Sequence, residues 1–253
     1  MRPERKVKPG TQMLWLGGLL VIWEAASRLG WVNPLILPAA SDVLVCLVGG
    51  LADGTLALQW LQSVGLVLAG LALGGLMGLL MACLDYFVPA SRPVLSLFAS
   101  MLHPLPGVAL LPLILAVAGI GGRAVFLVIL HAVVWSAYLG MSTGFTQVEP
   151  HLVDVAQNMG ATRRQLVFHV LIPVSLPHIG AAVRIGWSRG WRALISAEMI
   201  FSAIGSLGGL GWYLFERRAF MDITGLYAGV VLVIVTGVVV EQGVFRHWTE
   251  AQA

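Results

Sequence analysis

The chain has 253 residues, of which 58% are hydrophobic and only 11% charged, and its mean hydropathy is +0.88. A soluble domain carries about 25% charged residues, so a water-facing globule is excluded and the composition is that of a polytopic membrane protein. The net charge of +3 comes from Lys and Arg set in the gaps between apolar blocks rather than in a stripe, which argues against a nucleic-acid surface.

Arg2, Arg5, Lys6 and Lys8 precede an apolar run over residues 13–23. This start could be a signal peptide, with Ala25-Ala26-Ser27 as the small-residue cleavage region. Glu24 stands where such a region would be neutral, so an uncleaved first span is the better reading. Spans follow from uncharged runs able to cross about 30 Å of hydrocarbon, which takes about 20 helical residues. Six are expected, over 12–30, 58–84, 93–118, 124–146, 176–204 and 223–245, in one transmembrane domain covering residues 1–253. Pro104, Pro106 and Pro112 interrupt the third, and Arg184, Arg189, Arg192 and Glu198 lie inside the fifth.

Lys and Arg in short loops set orientation. None occurs from Leu29 to Ser91, which places 31–56 outside. Arg92, the pair Arg163 and Arg164, and Arg246 place their segments inside; Arg123, Arg217 and Arg218 fall outside, against the trend. Both termini are therefore expected in the cytoplasm.

Within the spans, Gly70, Gly74 and Gly78 recur every four residues and form a small face for close helix packing, first of all within one subunit. Cys46 and Cys83 sit alone in apolar sequence, with no Cys/His cluster for a metal. His103 and His131 read as satisfied structural histidines rather than proton relays. Arg192 and Glu198 are costly inside a membrane helix, so each should face protein or water: either they line a path or gate, or they form a structural contact. Arg184 is expected to snorkel to the interface. No nucleophile elbow, zinc-binding H-E-x-x-H or phosphate-cradling G-x-x-x-x-G-K-[ST] occurs, so the chain has no route of that kind to ATP.

The most informative stretch is the polar loop 147–174. Pro150 suits a first helical position, and Asp154 lies near that helix's positive end. Gly160 reads as a stop. Thr162 and Gln165 have the spacing of a capping box, which starts a second helix at once. An amphipathic segment lying on lipid headgroups is the plain alternative. The stretch from Asp154 to Pro173 resembles the coupling loop of ATP-binding-cassette (ABC) importer permeases, EAA---G---------I-LP. Asp154 stands for the acidic residue, Ala156 for the second alanine, Gly160 for the glycine, Val170 for the isoleucine and Ile172-Pro173 for Leu-Pro; Val155 replaces the first alanine.

Further segments are similar to the nitrate, taurine and alkanesulfonate permeases of that family. They are Leu37-Pro38 through Val43-Leu44, Leu105-Pro106 through Leu113, Trp191-Arg192 through Glu198-Met199, Gly209-Leu210-Gly211, and the tail from Glu241 to Arg246 and Trp248. The family's S-L-x-R reads Ser63-Val64-Gly65-Leu66 here, without the arginine, and its WFGIG reads Val117-Ala118-Gly119-Ile120-Gly121, without the aromatics.

The resemblance implies an all-α membrane protein of the type I ABC importer permease fold, with six transmembrane helices and a cytoplasmic coupling-helix loop. It implies docking of an ATPase subunit at Asp154, Ala156, Gly160, Ala161, Arg163 and Arg164, and a translocation path or gate at Trp191, Arg192, Glu198 and Met199. It implies a second copy of the permease, two ATPase subunits, an extracytoplasmic solute-binding protein, and residence in the bacterial inner membrane. No catalytic residue, metal or cofactor is expected in this chain, ATP and Mg belonging to the partner ATPase. The cargo would be a small organic anion or oxyanion such as a sulfonate, taurine or nitrate. A secondary transporter would want intramembrane carboxylates and paired broken helices, and only Glu198 qualifies. An intramembrane enzyme would want a nucleophile and base at membrane depth.

Overall fold

The computed structural model describes residues 9–201 and 208–245. Arg2, Arg5, Lys6, Lys8, residues 202–204 of the expected fifth span, and Arg246 and Trp248 lie outside the described residues. Every regular element among the described residues is helical. In chain order these are α1 (Pro9–Arg28), α2 (Ala40–Ala52), α3 (Thr55–Phe87), α4 (Arg92–Leu102), α5 (Leu111–Ala118), α6 (Gly122–Thr146), α7 (Pro150–Asn158), α8 (Arg163–Leu166), α9 (Ile172–Val174), α10 (Leu176–Phe201), α11 (Leu210–Ala219) and α12 (Ile223–Val239).

Three helical runs are long and apolar enough to cross a membrane, Thr55–Phe87, Gly122–Thr146 and Ile223–Phe245, and the number is five if each of two bent pairs is one span. One bent pair, Pro89–Leu102 with Gly107–Ala118, turns by 97° where Pro104 and Pro106 deny the chain backbone donors. The other, Arg163–Val174 with Leu176–Ile200, turns by 76° at Ser175. α1 is not among these runs: Thr11 and Gln12 at one end and Glu24, Ser27 and Arg28 at the other dilute its apolar middle. That middle, from Met13 to Ile22, is nonetheless almost wholly exposed, as a lipid-facing surface would be. The stretch expected as a plain external connection holds α2, a 13-residue helix too short to span. Arg28 ties it to α1 by pairing with Asp42 at 2.9 Å while Glu24 accepts the Ser41 N–H at 3.0 Å. Between α2 and α3, the Thr55 hydroxyl and N–H both donate to Asp53 and hold its carboxyl below the usual range.

α6 is the centre, packed along both α3 and α10. The small face of α3 makes this possible. Gly70, Gly74 and Gly78 are buried, and a Cβ on them would enter the space of Ile129, Val133 and Ala137 on α6. The glycine face therefore packs within one subunit, as expected. Further along α6, Gly140 and Gly144 lie against Ala182, His178 and Ser175. The three long helices thus approach almost backbone to backbone, and one core of Val67, Val125, Val128, Ile129, Val133, Trp187 and Leu194 joins them.

Candidate functional site

The loop between α6 and α10 is two helices and a glycine. Pro150 occupies the first turn of α7, where a missing N–H costs nothing. The helix ends in a short reversal: Gly160 N–H donates to Gln157 O at 2.9 Å and Ala161 N–H to Ala156 O at 3.0 Å, with Gly160 at φ +81°. A side chain at Gly160 would meet nothing within 4 Å, so glycine is present for its backbone angle and not for space. Thr162 then closes the capping box. Its N–H donates to Gln165 Oε1 at 2.9 Å, and its hydroxyl accepts the Gln165 N–H at 3.3 Å. Beyond α8 the helix widens into a π turn over Val167–Leu171, just before Pro173, which has no N–H to return to the chain.

One face of this loop is seated and the other is open. Leu166, Val167 and Leu171 are buried with Ala82, Tyr138, Met141 and Phe145 at the ends of α3 and α6, and Val153 and Ala156 pack against that cluster. Asp154, Gly160, Arg163 and Arg164 are exposed, Ala161 is half-buried, and Met159 is 83% exposed. The Arg163 guanidinium lies 5.6 Å from the centre of the Phe87 ring, a cation–π distance that steadies α8 against the end of α3. The open face thus combines one acid, two guanidiniums and a protruding thioether on a rigidly held support.

Near the other end of α3, about 36 Å away at 1.5 Å per residue between Ser63 and Phe87, three motifs that are far apart in sequence converge. Glu198 on α10 is buried, and its carboxylate accepts the Ser63 hydroxyl at 2.8 Å and the Gly211 N–H at 2.8 Å. Ser63 Oγ in turn accepts the Leu210 N–H at 2.8 Å, and Gln59 Oε1 accepts that of Gly209. The leading N–H groups of α11, which no helix can satisfy internally, are capped by side chains from α3 and α10, with a carboxylate at the positive end of the dipole. Gly209, at φ +99°, and Gly211 have no room for a Cβ because Glu198 fills it. Gln59 carries no signal in the sequence, and Ser63 enters the sequence reading only as the first position of S-L-x-R.

Of the remaining path candidates only Met199 adjoins this node. Trp191 is buried, stacks on Trp187 at 5.6 Å with 10° between the planes, and donates to Val233 O. Met199 is half-buried, its backbone against Gly211. Arg192 is exposed and sits about 240° around the helix from Glu198 by the 3.6-residue turn. Arg184, expected to snorkel, forms an ion pair with Glu241 of the π turn that follows α12, at 2.9 Å. His103 is only half satisfied: its Nε2 is partnered by Arg189 at 3.1 Å, while its buried Nδ1 has no partner among the described residues. His131 departs from the expectation: both its ring nitrogens are buried without a hydrogen-bond partner among the described residues. No group of three or more metal-ligating side chains occurs among the described residues.

The described residues thus form a helical membrane core that bears a helix–glycine–helix loop at one end. Residues 74–246 match the family of binding-protein-dependent transport system inner membrane components, and the chain belongs to it. It is 28% identical over 233 residues to the taurine transport system permease protein TauC of Escherichia coli, covering 90% of this chain and 83% of that one. It is 26% identical to the putative aliphatic sulfonates transport permease protein SsuC of Bacillus subtilis, over 91% of this chain and 84% of that one. It is 25% identical to the bicarbonate transport system permease protein CmpB of Synechocystis sp., over 81% and 76%. A structure of the MetNI methionine ABC transporter in an inward-facing conformation aligns with a TM-score of 0.60 at 19% identity, over 78% of this chain and 96% of that one. The fold is that of a type I ABC importer permease.

Proposed function

We propose that this chain is the membrane-spanning subunit of an ABC importer that brings a small organic anion or oxyanion into the cytoplasm, with both termini on the cytoplasmic side. The anion class is supported by the taurine, aliphatic sulfonate and bicarbonate permeases it resembles. The chain works as a pair, with two ATPase subunits that hold ATP and Mg and an extracytoplasmic binding protein that presents the solute. It performs no chemistry itself.

The observation that carries this reading is the seated loop. Asp154, Ala156, Gly160, Ala161, Arg163 and Arg164 form the ATPase docking element, with Met159 at its tip. Because Leu166, Val167 and Leu171 are buried against α3 and α6, a force on the loop moves those helices rather than the loop alone. Close glycine contacts bind α3, α6 and α10 into one body, so closure of the ATPases on ATP is felt at the opposite end. There Glu198 and Met199 hold α11, and Trp191 holds α12, to the moving helices at the gate, while Arg192 faces the path.

Cross-linking tests this directly. Met159→Cys, in a chain with Cys46→Ser and Cys83→Ser, should form a cross-link to the co-expressed ATPase that changes with ATP. Asp53→Cys in the same background, at the far end of α3, should form none. Equal cross-linking from both positions, or none from Met159→Cys in an active transporter, would refute the docking assignment.

A further inference from the structure

We propose that the cleft between the 105–108 backbone, α6 and α10 is a binding station for a small oxyanion, held by the guanidinium groups of Arg189 and Arg192. The proposal rests on the importer reading and adds a site to it.

The cleft has a volume of about 340 Å³, and Leu105, Pro106, Gly107, Ala132, Ser196 and the two arginines line it. That lies within the range of small-molecule sites, about 300–1,000 Å³. It opens at the 97° bend between the two halves of the broken span. Irregular backbone at membrane depth persists only where it is buried in protein or borders a wet cavity. Arg189 and Arg192 stand 13 and 16 residues beyond Leu176 in a 26-residue helix, about 20 and 24 Å from its start at 1.5 Å per residue. Neither is at a helix end where it could simply reach headgroups.

Their hydrogen bonds show what is left for a ligand. A guanidinium has five N–H donors and no acceptor. Arg189 gives one from Nη1 to His103 Nε2 and one from Nη2 to His103 O. Nε2 must accept, so the His103 ring is neutral with its proton on Nδ1, and it orients Arg189 without opposing its charge. Arg192 gives its Nε–H to Ser188 O at 3.0 Å, leaving both Nη groups for the cleft. Among the described residues no carboxylate lies within 4.0 Å of either guanidinium, whereas Arg184 of the same helix finds Glu241. Gly107 and Val108, in the leading turn of the second half-helix, also line the cleft, and the first N–H groups of a helix lack internal partners. Two like charges at membrane depth with no acid beside them are costly. Planar forks that bind oxygen pairs in two-point fashion make an anionic XO₂ or XO₃ group the natural counter-charge. A lipid phosphate offers the same chemistry as a free solute, so the test must separate them.

The assembled transporter, in phosphatidylcholine nanodiscs and without its binding protein, is dialysed against radiolabelled methanesulfonate. Saturable binding is expected. Arg189→Gln and Arg192→Gln should each weaken it by about tenfold or more, as loss of a charge-assisted hydrogen bond implies, with Arg192→Lys weakening it less. The neutral isostere dimethyl sulfone should not compete. Absence of saturable binding in the wild type, or unchanged affinity in both glutamine variants, would overturn the site. Loss of binding when anionic phosphatidylglycerol replaces the neutral lipid would assign the site to a headgroup and overturn it as a solute station. ATPase retained by the variants shows that they assemble. The importer reading fails separately, on absence of the ATPase from the purified wild-type assembly.

Discussion

Glycine does opposite work in two regions of this molecule. Along α3, Gly70, Gly74 and Gly78 have ordinary helical angles and no space: a Cβ on Gly78 would press on the backbone of Ala137 and Tyr138 at 2.9 Å or less. In the loop, Gly160 has unlimited space and a backbone angle, φ +81°, that other residues resist. The first set holds the helices together and the second sets the angle between two short helices. On the proposed docking, stability and coupling rest on the same residue type for different physical reasons, and substitutions can separate them.

The largest effect should come from Gly78→Leu. Overpacking a core costs about 1–3 kcal/mol when side chains can shift, and here the obstacle is backbone, so α3 and α6 must part. We expect little permease in the membrane and a lower melting temperature for what remains, read by fluorescence-detected size exclusion after heating. Wild-type levels and melting would mean that the α3–α6 approach is looser than described.

A smaller effect is expected of Thr162→Ala. It removes the capping box without imposing strain, at about 1 kcal/mol. Because that cost falls on α8 rather than on the long helices, permease levels should hold while ATPase co-purification falls modestly. A drop in membrane level instead would place the loop's role in folding.

How much of this was readable from sequence differed between the two ends. The loop was legible because its structure is local: Pro150, Gly160, Thr162 and Gln165 act over three or four residues, and each took its expected role. The breaks at Pro104 and Pro106 were legible for the same reason, and the four-residue period of Gly70, Gly74 and Gly78 announced a packing face, though not that α6 would fill it. The Glu198 node was not legible. Ser63 and Glu198 are 135 residues apart, and Gln59 reaches Gly209 across 150. Caps supplied by tertiary contact leave no spacing signal. Glu198 was seen as a costly charge and Gly209-Leu210-Gly211 as a motif, but not that one occupies the space the other leaves. α2 leaves little trace because 13 residues are too few for a span and a span-length criterion passes over it, although Asp53-Gly54, with Gly54 at φ +83°, marks its end.

Whether the angle set at Gly160 couples the proposed ATPase to the permease is decided by comparing Gly160→Val with Gly160→Asn. Valine at positive φ is strained by about 1–3 kcal/mol, whereas asparagine tolerates that region. The measurement is ATPase co-purification from membranes with matched permease levels. Gly160→Asn should retain the ATPase near wild-type amounts, and Gly160→Val should insert normally but lose most of it. Full retention by Gly160→Val at wild-type permease levels would contradict the account.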